Sequence, residues 1–212
     1  MRPQEKVISR YNTHYFQSTG CGISVAEALA ERDVLLPKEF LHLASRAAVD
    51  QTFSRLAREG RLLRVGRGAY TRPVNGRFGV RPPSTEAIIE AIESTSGELV
   101  VSHGAAEANA LGLTTQVPAR EVFLTSGPAR KLQLGKRKIE LKHGNRWQLA
   151  LGKRPAGRVI RALSWLGPEH AGAALKSLSN RLSTEEWQAM RAARATLPGW
   201  MAQAVSEVTE HG

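Results

Sequence analysis

The sequence predicts an α+β protein of two domains, on three observations. The stretch from Leu36 to Tyr70, LPKEFLHLASRAAVDQTFSRLAREGRLLRVGRGAY, sets a short apolar helix, an amphipathic helix and a glycine-tipped hairpin in unbroken succession. The segment RPVNGRFGVRPP, Arg72 to Pro83, carries Pro, Gly and Asn at a density that disfavours a continuing helix or a central strand. Further on, short alternating segments give way beyond Pro155 to helical periodicity alone. The expected organisation is therefore a winged helix-turn-helix DNA-binding domain over 1–77, followed over 78–212 by a mixed domain with a small sheet and a helical C-terminus.

Within the first domain each element has a local cause. Pro37 suits a first helical turn, where its missing N–H is no loss, and Phe40, Leu41 and Leu43 supply an apolar face that ends near Ala44. Ser45 stands at an N-cap position, and Val49, Phe53 and Leu56 follow at spacings of four and three, so one stripe of the next helix faces a core. Ala47, Gln51, Ser54 and Arg58 occupy the opposite face, with Asp50 and Arg55 at its edges. Gly60 sits at the natural stop, and Leu62, Leu63 and Val65 begin a strand that turns at Gly66, Arg67 and Gly68 into Ala69, Tyr70 and Thr71. A charged helix alone reads as a solvated face. Followed by a Gly-Arg-Gly hairpin it reads as a recognition helix and wing. Ala47 permits close approach, and Gln51 and Ser54 can reach base edges. Ser45, Arg46, Arg55, Arg58, Arg64 and Arg67 complete the expected DNA-contacting set.

Composition agrees. Thirty Lys and Arg against nineteen Asp and Glu leave a net charge of +11, which favours a polyanionic partner. Lone Cys21 excludes an intramolecular disulfide and a thiolate zinc site. The opening MRPQEKVISRYN is too polar for a signal peptide, and no run approaches the roughly 20 apolar residues of a membrane span. The expectation is a cytoplasmic protein without a membrane association. Ahead of the first domain's core, Gln4 to His14 reads as a leading helix, Ser18 to Gly22 as a loop, and Ser24 with Glu27 as the capping pair of another helix. An additional N-terminal helix of this kind can serve dimerisation.

The second domain reads as helix over Thr85 to Glu93, with Ala87, Ile88, Ala91 and Ile92 inward. A strand over Glu98 to Ser102 and an alanine-rich helix to Leu111 follow. Glu121 to Thr125 is a second strand. Arg130 to Leu134 and Lys136 to Lys142 flank Gly135 as a hairpin, with Ile139 and Leu141 on one side and Lys138, Glu140 and Lys142 on the other. Helices are expected around Val159, Ile160, Leu163 and Leu166, over Ala171 to Leu178, over Thr184 to Arg194 with Ser183 and Glu186 at capping-box spacing, and over Trp200 to Val208.

From Arg120 to Arg161 twelve Lys or Arg (positions 120, 130, 131, 136, 137, 138, 142, 146, 153, 154, 158 and 161) face only Glu121 and Glu140. Such an imbalance marks a second basic surface and an anionic partner. Signals of catalysis are lacking. The six histidines form no HExxH pattern and no GxSxG elbow is present. Neighbours on a strand point to opposite faces, so Ser102 beside His103 does not make a nucleophile and its base. The expected role of His103 is capping or structural. No enzyme activity, metal or cofactor is expected.

The runs SRAAVDQTFSRLAREGRLLRVGRGAY, VVSHGAAEANALGLTTQVPAREVFLTSGPARKL, GKRKIELKH and GKRPAGRVIRALSWLG together resemble the AbiEi-like antitoxins of bacterial type IV toxin-antitoxin systems. The resemblance spans about Leu36 to Gly167 and is most specific at PAREVFLTSGPARKL. It implies an N-terminal winged helix-turn-helix that represses its own operon at promoter inverted repeats, where two copies could pair as a homodimer on the DNA. It also implies a C-terminal domain that neutralises a nucleotidyltransferase-like toxin. By the same resemblance the antitoxin surface is the basic face of that domain: Arg130, Lys131, Lys136, Arg137, Lys138, Lys142, Arg146, Lys153 and Arg154. The alternative is a stand-alone winged-helix transcriptional regulator with no toxin partner.

Overall fold

A computed structural model describes residues 34–210, apart from Leu43, Arg67, Phe78 and Gly135. The expected leading helix over 4–14, the loop over 18–22, Cys21 and the capping pair Ser24 and Glu27 lie outside the described residues. The fold mixes helices with small sheets and divides into two compact units. The first is the chain up to Gly97 together with Lys131–Lys138; the second is Glu98–Arg130 with the chain from Ile139 onward. The expected boundary between 77 and 78 thus falls within the first unit. The Pro- and Gly-rich segment there is not a bare linker, because Val74–Gly76 (β4) and Gly79–Arg81 (β5) pair antiparallel as a two-stranded ribbon.

The first unit opens with β1 (Val34–Leu35), followed by a 3-10 helix at Pro37–Phe40, shorter and tighter than the helix expected through Ala44. Helix α1 (Arg46–Arg58) begins where Ser45 Oγ accepts the Ala48 N–H at 3.3 Å. It ends where Gly60, at φ +72°, lets the Gly60 and Arg61 N–H groups reach back to the carbonyls of Ala57 and Leu56. Strands β2 (Leu63–Gly66) and β3 (Ala69–Thr71) form the expected hairpin, with a bulge between Arg64 and Gly66, and β1 adds to the far side of β3. Leu35, Phe40, Val49, Phe53, Leu56, Leu62 and Tyr70 make the core. Phe53 sits between Phe40 and Tyr70 with ring centroids 5.2 Å apart on both sides. Helix α2 (Thr85–Ser96), capped by Ser84 and stopped by Gly97, buries Ala87, Ile88, Ala91 and Ile92 as the periodicity requires.

In the second unit β6 (Val100–Ser102) pairs antiparallel with β7 (Glu121–Thr125), which runs parallel to β9 (Arg137–His143). The sheet order is β6-β7-β9-β8, where all of β8 (Arg130–Leu134) but its first residue, and the first two residues of β9, are counted in the first unit. Helices α3 (Gly104–Ala110), α4 (Arg146–Leu149), α5 (Pro155–Leu166), α6 (Pro168–Leu178), α7 (Thr184–Ala192) and α8 (Gly199–Glu210) complete it, with a 3-10 turn at Ala193–Thr196. Val159, Ile160, Leu163, Leu175, Leu178, Met190, Met201 and Val205 form its main core. The expected capping box at α7 is only half made. Ser183 Oγ accepts the Glu186 N–H, but the Glu186 carboxylate turns to α5, where it accepts the Ala156 N–H at 2.8 Å. It therefore caps a helix thirty residues away in sequence rather than its own.

Helices α3 and α5 approach closely at Gly104, where a Cβ would collide with the Arg161 carbonyl oxygen and lie 2.8 Å from Trp165 Cβ. Helix propensity alone would favour Gly104→Ala by about 1 kcal/mol. The backbone oxygen cannot give way, so the overpacking term of roughly 1–3 kcal/mol or more wins and the urea midpoint falls. Gly172, on α6, has nothing within 4 Å of its would-be Cβ. Gly172→Ala should therefore raise the midpoint by the propensity difference, and the opposite signs of the two substitutions test the packing directly.

Candidate nucleic-acid interface

The outward face of α1 follows from its buried one. With Val49, Phe53 and Leu56 in the core, Ala47, Gln51, Ser54 and Arg58 are all exposed. Arg46 Nε donates to Asp50 Oδ2 at 3.0 Å, and Arg55 Nε lies 3.9 Å from Glu59 Oε1. Exposed pairs one helical turn apart contribute under about 1 kcal/mol, so Arg46 can exchange its carboxylate for a phosphate at little cost. Ser45 is exposed but its hydroxyl is committed to the cap. Arg64 is exposed on β2 and its Nε donates to the Gly66 carbonyl at 3.4 Å, across the bulge. Arg67 lies outside the described residues. Eight of the nine residues expected to contact DNA thus lie on α1, at its cap and on the following hairpin.

The second basic set is less uniform than its sequence count. Arg130 is bound by Glu98, at 2.8 Å from Nη2 to Oε2, and Arg154 by Glu186 and Glu185 at 2.8 and 3.0 Å. Arg158 and Arg161 share Glu107, at 2.8 and 3.0 Å. All four partners lie outside the 120–161 run, so a count within that run overstates its net charge. The pairing with Arg154, and the Ala156 N–H, hold the Glu186 carboxyl below the usual range. Lys131, Lys136, Arg137, Lys138, Lys142, Arg146 and Lys153 are exposed. Of these, Lys131, Lys136, Arg137 and Lys138 belong to the first unit, and Arg137 Nη2 donates to the Pro83 carbonyl there at 3.3 Å.

Sequence reasoning missed Glu107 and Arg161, which are 4% and 1% exposed. The available signal was a lone acid in the small helix GAAEANA and a lone arginine inside the apolar run VIRAL. His103 has the capping role expected of it: it is the N-cap of α3, with Nδ1 accepting the Ala105 N–H at 3.3 Å. A cleft of about 640 Å³ in the second unit is lined by Leu113, Thr114, Trp165, His170 and Ser177, among others. Among the described residues, no group of three or more His, Cys, Asp or Glu side chains converges in a way that could hold a metal ion. Nor is any helix among them long and apolar enough to cross a membrane.

A protein-family model matches residues 24–188, from ahead of β1 into α7. The chain belongs to DUF6088, a family of unknown function. Comparison with curated proteins and with solved structures gives no match. The DUF6088 span covers both the α1 face with its hairpin and the basic residues of the second set, and it ends ahead of α8.

Burial, and then the charge of Lys142, lower the His103 pKa below its ordinary 6.5, with Glu140 opposing. The folded state therefore favours the neutral ring, whose Nδ1 lone pair the cap needs. Stability from this site is full above about pH 6.5, where the unfolded ring is also neutral, and is lost as pH falls through the folded pKa. His103→Asn keeps a capping acceptor without a titrating ring. Urea midpoints between pH 7.5 and 5 should decline less steeply in that variant than in the wild type, and equal slopes would remove His103 as the cause.

Proposed function

We propose that the chain is an AbiEi-like antitoxin, acting in the cytoplasm, that binds promoter DNA through a winged helix-turn-helix and neutralises a nucleotidyltransferase-like toxin. The observation behind the DNA-binding half is the exposed row Ala47, Gln51, Ser54 and Arg58 on α1, followed at once by the β2–β3 hairpin. In this reading α1 is the recognition helix, the 3-10 helix at Pro37–Phe40 stands in for the second helix of the motif, and the hairpin closed by β1 is the wing. A net charge of +11 favours association with duplex DNA. Binding at inverted repeats calls for two copies of α1 spaced by about one helical turn of DNA, roughly 34 Å.

The antitoxin half is supported by the sequence resemblance and by Lys142, Arg146 and Lys153, which are exposed in the second unit. A stand-alone regulator is favoured instead by the fact that the residues arranged for DNA contact all lie in the first unit. A co-expressed toxin distinguishes the two.

Two measurements test the reading. Log affinity for a promoter fragment should fall with log salt at a slope of about −5 if some six phosphates are neutralised. On that background Gln51→Ala should narrow the ratio of operator to random affinity by about 1–3 kcal/mol, the worth of a bidentate base contact, while leaving the slope alone. An unchanged ratio would show that α1 does not read bases. For the toxin, Lys142→Glu with Arg146→Glu should abolish growth rescue in cells expressing it and leave promoter affinity near wild type. Full rescue by that variant would remove this face from antitoxicity.

A further inference from the structure

Four cations, Lys131, Lys136, Arg137 and Lys138, stand in the segment KLQLGKRK without an acid among them. The resemblance places them on a toxin-binding face, but they belong to the compact unit that contains α1 and the β2–β3 hairpin. The join is specific. A Cβ on Gly66 would lie 3.0 Å from Leu132 Cδ2 and 3.5 Å from the Lys131 carbonyl oxygen, so β8 lies directly against the end of β2. Gly66 opens the turn whose Gly68 has φ +63°, and this turn is the tip of the proposed wing. Leu132 and Leu134 are buried, so the two-residue period of the strand turns Lys131 and Gln133 outward, and both are exposed. Lys136 and Lys138 are exposed on the return strand side, and the bond from Arg137 to the Pro83 carbonyl ties the tip to the chain ahead of α2.

We infer that the tip of the β8–β9 hairpin is a second contact with the DNA backbone, a basic ledge beside the wing, rather than part of a toxin-binding face. The inference rests on the DNA-binding reading given above and names a further part of the same interface. Flexible lysines at a hairpin tip act as point charges suited to phosphate, whereas base discrimination calls for the shorter polar groups of α1. The ledge should therefore add affinity without adding sequence preference. Arg137 is left intact in the test because its guanidinium also holds the segment in place.

The triple variant Lys131→Gln, Lys136→Gln, Lys138→Gln is compared with wild type and with Gln51→Ala in the full chain, on operator and random duplexes over a range of salt. The expected result is a salt slope shallower by about 0.9 for each phosphate no longer neutralised, so by roughly 2 to 3, with both duplexes weakened alike and their ratio kept. Gln51→Ala should do the reverse. As a second measurement, independent of how the variant folds, duplex DNA should protect Lys136 and Lys138 of the wild-type protein from an amine-acylating reagent. Wild-type protein that binds no duplex overturns both the DNA-binding reading and the ledge. A wild type that binds, with a ratio that responds to Gln51→Ala, sinks the ledge alone if the triple variant keeps the full slope or the lysines stay unprotected. Loss of toxin rescue by the triple variant at an unchanged slope returns the tip to the toxin face and overturns the inference as well.

Discussion

The buried carboxylate of Glu107 is the interaction on which the second unit depends. It accepts from Arg161 at 3.0 Å in the interior and from Arg158 at 2.8 Å at the edge, so one acid from α3 fixes two positions on α5. Arg161 extends the tie by donating to the carbonyls of Gln148 and Gly152, which orients the turn between α4 and α5. Burial pushes the Arg161 pKa down, and its Nε has no partner among the described residues, so the site is only partly compensated for its desolvation. Loss of one partner from such a pair typically costs about 3–5 kcal/mol, because the other charge is left stranded. Two glycines make the geometry attainable. Gly104 lets α3 descend on α5, and Gly157 sits where a Cβ would be 2.7 Å from the Gly152 carbonyl oxygen.

A second carboxylate organises the sheet end of the same unit and gives the motif TSGPAR a physical meaning. Glu98 accepts from Thr125 Oγ1 at 2.8 Å and from Arg130 at 3.1 and 2.8 Å. Thr125 Oγ1 in turn accepts the Gly127 N–H, and a Cβ at Gly127 would push the Glu98 carboxylate out of this place. Ser126 Oγ accepts the Leu99 N–H, and His143 Nδ1 lies 2.9 Å from the Gly127 carbonyl oxygen. The most specific stretch of the sequence is thus spent on wrapping a loop around an acid. A resemblance carried by those residues speaks first to the fold of this unit.

Local signals were legible in the sequence, and long-range pairings were not. Ser45, Ser183 and Gly60 act at helix ends as their types require, and the burial alternation of β9 around Ile139 and Leu141 is the one its sequence displays. These depend on neighbours within four residues. β1 is two residues long, too short for any alternation to show, and its partner Tyr70 lies 35 residues on. The parallel pairing of β7 with β9 and the assignment of Lys131–Lys138 to the first unit depend on which segments meet in space. Of the residues proposed to contact DNA, those on α1 could be read because helical period alone turns them out once Val49, Phe53 and Leu56 turn in. The paired state of Arg130, Arg154, Arg158 and Arg161 could not, because every partner acid is at least 31 residues away.

The first unit is discontinuous in the chain: its body ends at Gly97 and its last strand segment returns at Lys131–Lys138. A chain made on the ribosome emerges from its N-terminus, at about 5–20 residues per second. The body of this unit therefore waits for the intervening stretch Glu98–Arg130 to be synthesised before Leu132 can reach Gly66. Until then the site that receives Leu132 stays open to water and to other apolar segments. The unit that is first in sequence is thus finished only after the opening stretch of the second, Glu98–Arg130, has been made.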